Sequence, residues 1–219
     1  NDNYFTILLS ERFEVEISKK PDFLIHSTFG KSYLKYNCFR ICYTGENTRA
    51  DFTKSDFHIG FDHIDDERYF RWPLFLLYGP LSRVIKNIDI DKIVKEKTRF
   101  CNIVVSNSNA NERVEFFKKL SKYKKVDSGG RALNNIGGPV ENKLDFIKKY
   151  KFTMAFENAS YPGYTTEKVY ESMSMHSIPI YWGNPKISED FNPKSFINVN
   201  DFSSFNEVIE YVKEVDQNE

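Results

Sequence analysis

Cysteine is scarce in this chain: Cys38, Cys42 and Cys101 are the whole supply in 219 residues, an odd number with no CxxC spacing. Each lies in or beside an apolar run, which favours buried free thiols over disulfides or zinc ligands. A reducing, cytoplasmic setting is the matching expectation. Excess charge of one sign is also missing, with 31 basic against 31 acidic residues. No global field therefore draws in nucleic acid, and attraction for an anionic ligand has to be local. No apolar run approaches the ~18 residues that a membrane-spanning helix needs. Secretory-leader pattern, internal repeats and low-complexity tracts are likewise not visible in a sequence that opens on Asn1.

What is present is an ordinary globular composition, 40% hydrophobic and 28% charged, with a large aromatic stock of 20 Phe and 13 Tyr. Most of those rings are expected in a core, and some can line a sugar site. Strand-like runs alternate with helical ones, predicting parallel sheets covered by helices. Strands are expected over 13–17, 23–26, 39–43, 57–61, 100–105, 152–156, 178–182 and 196–199. Helices are expected over 4–13, 88–97, 109–123, 141–150, 165–175 and 205–215. Gly79-Pro80 interrupts the pattern, and a new βα series begins by Asp91. Periodicity alone supports an α/β chain with two subregions.

The most informative stretch runs from Phe156 to Lys168: Phe-Glu-Asn-Ala-Ser-Tyr-Pro-Gly-Tyr-Thr-Thr-Glu-Lys. It reads as the end of a buried strand, a Gly/Pro-bent loop and a helix starting near Thr165. Such a junction aims backbone N–H groups and the positive end of a helix dipole into one crevice, where a phosphate can dock. Together with Ser177-Ile178-Pro179-Ile180-Tyr181-Trp182-Gly183, it resembles the donor-binding signature of the α-1,3/4-fucosyltransferases, particularly the bacterial ones. Thr165 departs from the Val often found at its place. Cys42-Tyr43-Thr44-Gly45-Glu46-Asn47 resembles a second element of that family, which carries Tyr-Thr-Gly-Glu-Asn there.

The resemblance implies two facing Rossmann-like domains with parallel sheets, the GT-B arrangement, with residues 1–90 on the acceptor side and 91–219 binding the nucleotide sugar. A helix at Tyr4 with no strand before it, and a chain ending at a helix where family members continue, suggest truncation at both ends. Such a C-terminal extension would carry any peripheral association with a membrane. The implied reaction is inverting transfer of fucose from GDP-β-L-fucose to the N-acetylglucosamine of a lactosamine-type glycan, α-1,3 or α-1,4. It needs neither metal nor further cofactor, since GDP-fucose is a co-substrate.

Residue by residue, Glu46 closes an apolar run and is the catalytic base by resemblance; on its own it reads more readily as a solvated loop acid. Arg113 follows a loop rich in helix-capping residues, where it can clamp a diphosphate or pair on the surface with Glu112 or Glu115. By resemblance Asn158 and Tyr164 contact the nucleotide sugar. Glu167 suits ribose hydroxyls and Lys168 the pyrophosphate, against a bland alternative of helix-capping chemistry. Ser128-Gly129-Gly130-Arg131 is expected to line the cleft, with Arg131 a second cationic contact. Asp62 to Glu67 reads as a solvated acidic loop rather than a metal site, and His26, His58 and His176 as structural. The alternatives are a nucleotide-sugar- or glycan-binding module without transfer, and a GT-B glycosyltransferase using another donor.

Overall fold

The computed structural model describes residues 3–85 and 87–218. After helix α1 (Tyr4–Ser10), strands β1 (Phe23–His26), β2 (Phe39–Tyr43), β3 (Phe57–Gly60) and β4 (Tyr69–Arg71) form a parallel sheet in chain order. Helix α2 (Ile90–Glu96) leads into the second half: β5 (Arg99–Ile103), α3 (Asn111–Leu120), β6 (Val126–Ser128), α4 (Lys143–Ile147), β7 (Tyr150–Phe156), α5 (Glu167–Ser174), β8 (Ile178–Trp182), β9 (Ile197–Asn198) and α6 (Phe205–Gln217). Its sheet is also parallel, in the order β6-β5-β7-β8-β9. The chain steps from β5 outward to β6, then returns past β5 to β7. That reversal opens a crevice at the carboxyl ends of β5 and β7, where ligands of doubly wound sheets bind.

The second half owes its rigidity to β7. Phe152, Met154 and Phe156 alternate onto one face, against Phe116 and Leu120 of α3 and Val208 and Val212 of α6. Ala155 turns to the other face, with Val169 and Tyr170 of α5 and Tyr181 of β8. Helices on both faces are what an all-parallel sheet requires, and each fully buried large side chain contributes about 1.5–3 kcal/mol.

The two halves share a core. Phe75, in the 3-10 turn Leu74–Leu77, is buried among Val169, Tyr170, Tyr181 and Phe196, with its ring 4.8 Å from that of Phe191. Pro80 lies in the sequence break, and its carbonyl accepts the Tyr170 hydroxyl at 2.9 Å. Arg71, at the end of β4, makes a two-pronged bond to Asp190, at 2.8 and 2.7 Å. The junction is therefore pinned at three points.

Most expected elements stand within two or three residues of their places, and β1, β2 and β8 match end for end. The strand expected over 13–17 does not form: Phe13 and Ile17 are exposed and the segment joins neither sheet. Its alternation with Glu14 and Glu16 mimics a strand but finds no partner edge. The β4 and β6 strands were missed, because three residues are too few to show a period. Cys42 and Cys101 are buried as expected, whereas Cys38 is half-buried.

Breaking the Arg71–Asp190 bridge should weaken the whole molecule. The Asp190 side chain is only 7% exposed, and stranding a buried carboxylate costs about 3 kcal/mol. Arg71→Ala should therefore lower the thermal midpoint by roughly 6–12 °C for a domain of this size, while Arg68→Ala, removing an exposed arginine paired with Asp66, should shift it by no more than about 2 °C. Equal shifts in calorimetry would rule out the bridge as a clamp between the halves.

Candidate active site

Two loops meet at the facing carboxyl ends of the sheets. The first leaves β2 as Thr44-Gly45-Glu46-Asn47. Thr44 donates its N–H to Ile59 of β3 at 2.9 Å, so the loop starts in register with the sheet. The Glu46 N–H then donates to Thr44 Oγ1 at 3.2 Å, and that hydroxyl lies 2.9 Å from Thr48 Oγ1. These closures fix the backbone of Glu46 and leave its side chain exposed.

The second loop leaves β7 at Glu157, whose side chain is fully buried. Its carboxylate accepts the Thr166 N–H at 2.7 Å, the Thr166 hydroxyl at 2.5 Å and the Lys168 ammonium at 3.0 Å. A carboxylate directly after the preceding strand thus holds Thr166, the N-cap residue of α5, at the positive end of the helix dipole. A protein carboxylate therefore stands beside the helix end at which the sequence leads one to expect a phosphate. Glu157 carries no role in the sequence reading; a Glu directly after a buried apolar strand and nine residues before Thr166 was the available signal.

Asn184 secures the same loop. Its Oδ1 accepts the Gly163 N–H at 2.7 Å, and its Nδ2 donates to Thr165 Oγ1 at 3.0 Å. Gly163 has φ +83° and runs so close to the first half that a Cβ would lie 2.3 Å from the Phe61 carbonyl. Gly183 has φ +154°, and a Cβ there would strike Glu157 Cγ at 2.5 Å. Both positions require glycine for conformation and for space.

Arg113 is neither on the surface nor paired with Glu112 or Glu115. It is 1% exposed and reaches across the switch point, donating to the Asn107 carbonyl (3.1 Å), the Phe156 carbonyl (2.7 Å) and Asn158 Oδ1 (2.8 Å). Burial lowers its pKa, while Glu157, Glu167 and Tyr164 pull the other way; such a guanidinium stays charged at neutral pH. Asn158 itself is exposed, so its amide nitrogen remains available for a hydroxyl.

Lys168 has three ammonium protons and three oxygen neighbours: Glu157, Thr166 Oγ1 at 2.7 Å and Glu167 at 3.3 Å. Burial opposes its charge, but Glu157 and Glu167 outweigh it and raise its pKa. Burial likewise opposes ionisation of Glu167, yet Lys168 and Lys143 hold its pKa below the ordinary value. Lys143, from α4, also pairs with Glu171 one turn further along α5; there burial wins, and the Glu171 pKa is raised. Tyr164 is buried with its ring 5.1 Å from Phe61. Burial, then Glu157, pushes its pKa up to about 12, with Glu46 among the smaller contributors. Tyr78 is raised by burial and then by Glu167, Glu171 and Glu46. Glu46 and the α5 carboxylates therefore act on the same two phenols, which places the first loop opposite the second.

The Ser128–Arg131 segment packs more tightly than a cleft-lining turn. A Cβ on Gly130 would lie 2.0 Å from the Val105 carbonyl, and Arg131 is exposed. The acidic loop splits: Asp66 pairs with exposed Arg68, while Asp62 is buried and bonded to Arg49. His58 accepts the Asp51 N–H at 3.2 Å, and His26 stacks on Tyr33 with centroids 3.9 Å apart.

Comparison with known proteins settles the family. Residues 94–219 match the family model described as glycosyltransferase family 10 (fucosyltransferase) C-term, and residues 1–78 match the alpha-(1,3)-fucosyltransferase FucT N-terminal domain. The chain belongs to glycosyltransferase family 10. Alpha-(1,3)-fucosyltransferase FucT of Helicobacter pylori is 34% identical over an alignment of 249 residues, gaps included, that takes in 94% of this chain and 52% of that protein. The mouse 4-galactosyl-N-acetylglucosaminide 3-alpha-L-fucosyltransferase 9 is 35% identical over 128 residues, 57% of this chain and 35% of the relative. The chain thus spans about half the length of the bacterial relative. Among solved structures, an alpha1,3-fucosyltransferase with GDP-fucose aligns with TM-score 0.77 at 34% identity, covering 93% of this chain and 67% of that one. A second alpha1,3-fucosyltransferase crystal structure aligns with TM-score 0.85 at 32% identity, covering 97% of this chain and 72% of that one. The family 10 fold, two facing α/β halves with parallel sheets, is the one described above. Of the sequence-level candidates, Arg113, Asn158, Tyr164, Glu167 and Lys168 gather around the β5–β7 crevice, and Glu46 faces them from the other sheet.

For this family 10 chain, the Glu157–Lys168 pair should prove structural first. Lys168→Met leaves a carboxylate buried without its cation, and the loss should be about 3–5 kcal/mol in urea unfolding. Adding Glu157→Gln should recover at least ~1 kcal/mol of that loss. Strictly additive losses would mean that the pair is not coupled.

Proposed function

We propose that the chain carries the catalytic machinery of an inverting α-1,3-fucosyltransferase, with GDP-β-L-fucose as donor and the N-acetylglucosamine of a galactosyl-N-acetylglucosamine glycan as acceptor. The observation that carries this reading is the convergence of an exposed Glu46 on one sheet end with the Arg113–Asn158–Lys168 cluster on the other. Relatives support it by name: one was solved with GDP-fucose, and the mouse relative acts on a 4-galactosyl-N-acetylglucosaminide. Residues 1–90 serve the acceptor side and 91–219 the nucleotide sugar.

In this mechanism Glu46 removes the proton from the acceptor hydroxyl as the oxygen attacks the anomeric carbon from the face opposite GDP. The C–O bond to GDP breaks, and the configuration inverts from β to α. Charge grows on the departing diphosphate, which Arg113 and Lys168 stabilise from the crevice. Lys168 needs a free proton for this. When Glu167 turns to the ribose hydroxyls it gives up Lys168, and the released N–H serves the phosphate. Asn158 offers its amide nitrogen to a sugar hydroxyl, and Tyr164 walls the site as a neutral phenol. With two cations supplied by side chains, no divalent ion and no further cofactor is assigned a step.

Glu46→Gln should reduce GDP-fucose turnover about 10²–10⁴-fold, with GDP affinity by calorimetry within threefold of the parent. A turnover near the parental rate would remove Glu46 from the role of base. Release of GDP that is not accelerated by acceptor in the parent chain would favour a binding module without transfer.

Chelation should leave turnover intact, measured as GDP release after treatment with EDTA. Full loss restored by Mn²⁺ or Mg²⁺ would overturn the metal-independent reading and return attention to Asp62, Asp65 and Asp66.

A further inference from the structure

Lys143 has no part in the chemistry above, yet it lies against the carboxylate assigned to the ribose. It is the first residue of α4, whose start is fixed by Asn142; the Asn142 Oδ1 accepts the Leu144 and Asp145 N–H groups at 3.0 and 3.1 Å. Phe146, with its ring 4.8 Å from that of Tyr150, and buried Ile147 anchor the same helix. A cation opposes the dipole at that end of a helix, and the acids that Lys143 meets belong to α5 instead. Its ammonium is bonded to Glu171 and lies 3.7 Å from Glu167. Those two glutamates stand four residues apart on α5, a spacing at which like charges repel. The side chains of Glu167 and Glu171 are only 18% and 13% exposed, so water and salt screen the repulsion poorly. Glu167 is thus held between two cations, Lys168 at 3.3 Å and Lys143 at 3.7 Å. Arg113 donates to Asn107, Phe156 and Asn158, and Lys168 is assigned to the diphosphate. Lys143 is the cation left to Glu167 when a nucleotide is in place.

We propose that Lys143 is a positioning residue for the donor: it keeps the Glu167 carboxylate aimed at the ribose hydroxyls once Lys168 has turned to the diphosphate. The inference rests on the ribose role given to Glu167 above. The hydroxyls replace the bond that Glu167 gives up, and Lys143 holds the carboxylate in place without touching the nucleotide. Glu171 in turn fixes Lys143, so the contacts run from the second turn of α5 through α4 and back to the first turn of α5.

Calorimetry with GDP and 2′-deoxy-GDP tests this. The parent should bind GDP about 10-fold more tightly, the effect of one charge-assisted hydrogen bond. Lys143→Met should weaken GDP about 10-fold and erase that preference. Its KM for GDP-fucose should rise by a like factor, with kcat within about threefold of the parent. Lys143→Arg should keep the preference, and so should Lys148→Ala, which removes an exposed lysine at the far end of α4. Lys143→Met also strands Glu171, so the same measurements are made with Glu171→Gln added. The double variant should regain the thermal midpoint lost in the single one, but not the preference for GDP. If it regains both, Lys143 serves only to neutralise Glu171, and the positioning role is overturned. A parental preference in folded Lys143→Met overturns it equally. Glu167→Gln separates this inference from the reading beneath it. A preference lost there but kept in Lys143→Met removes Lys143 alone. A preference absent in the parent, or kept in Glu167→Gln, removes the ribose assignment and the inference with it.

Discussion

A carboxylate with no exposed surface is expensive to bury, and Glu157 is buried only because three groups meet it at once. An isolated ion moved into a protein interior loses several kcal/mol of hydration. Here the loss is offset by the Thr166 N–H, the Thr166 hydroxyl, the Lys168 ammonium and the dipole of α5 acting together. The consequences spread outward. Holding Thr166 starts α5 at a fixed place and angle, and holding Lys168 sets the cation that Glu167 needs. Gly183 must lack a side chain so that Glu157 can occupy its site. Remove the carboxylate and the loop, the helix start and the local charge balance lose a common reference.

The same loop also binds the two halves together. Its turn at Gly163 lies against the Phe61 carbonyl, and Phe61 packs edge-on to both Tyr161 and Tyr164. Phe75 and Arg71 extend the contact through an apolar plug and an ion pair. A reaction that joins groups held by different halves needs their separation fixed to a fraction of an ångström. Rigid anchors on both sides of the crevice supply that, while Glu46, on a short loop closed by threonine hydroxyls, keeps an exposed carboxylate between them.

Much of this was legible in the chain itself. Long buried strands such as Tyr150–Phe156 and Ile178–Trp182 announce themselves by apolar density, and the bent Pro162-Gly163 loop by its conformational demands. Three kinds of information were not legible. Strands of three residues carry no period, so β4 and β6 appear only once their neighbours are placed. The partner edge that a strand needs is a tertiary fact, which is why 13–17 looked like a strand and is not one. The partners of charges depend on distant residues: Arg113 has Glu112 and Glu115 nearby in sequence, yet its bonds go to Asn107, Phe156 and Asn158. Glu157 was hidden for the same reason, since nothing local tells a buried glutamate from a solvated one.

The charge pattern of the crevice leads to one further step. Glu157, Glu167 and Glu171 stand against Lys143, Lys168 and Arg113, with each cation already engaged by protein oxygens. In the function proposed above, a diphosphate entering such a balanced site would gain little from unscreened attraction. Its binding has to come from exchange, in which a protein carboxylate lets go of an ammonium and finds another partner of its own. Glu167 is the carboxylate able to do so: it is the outer of the two on Lys168, at 3.3 Å against 3.0 Å for Glu157, and its side chain keeps 18% exposure where Glu157 keeps none. Glu157 cannot move without unseating Thr166. On the reading proposed above, in which Glu167 meets the ribose, affinity for the nucleotide would be tied to ribose and phosphate being present together, because only the ribose compensates Glu167 for the cation it releases. A lone pyrophosphate would meet a site still closed by its own glutamate, and selectivity for a nucleotide over an inorganic anion follows from that coupling.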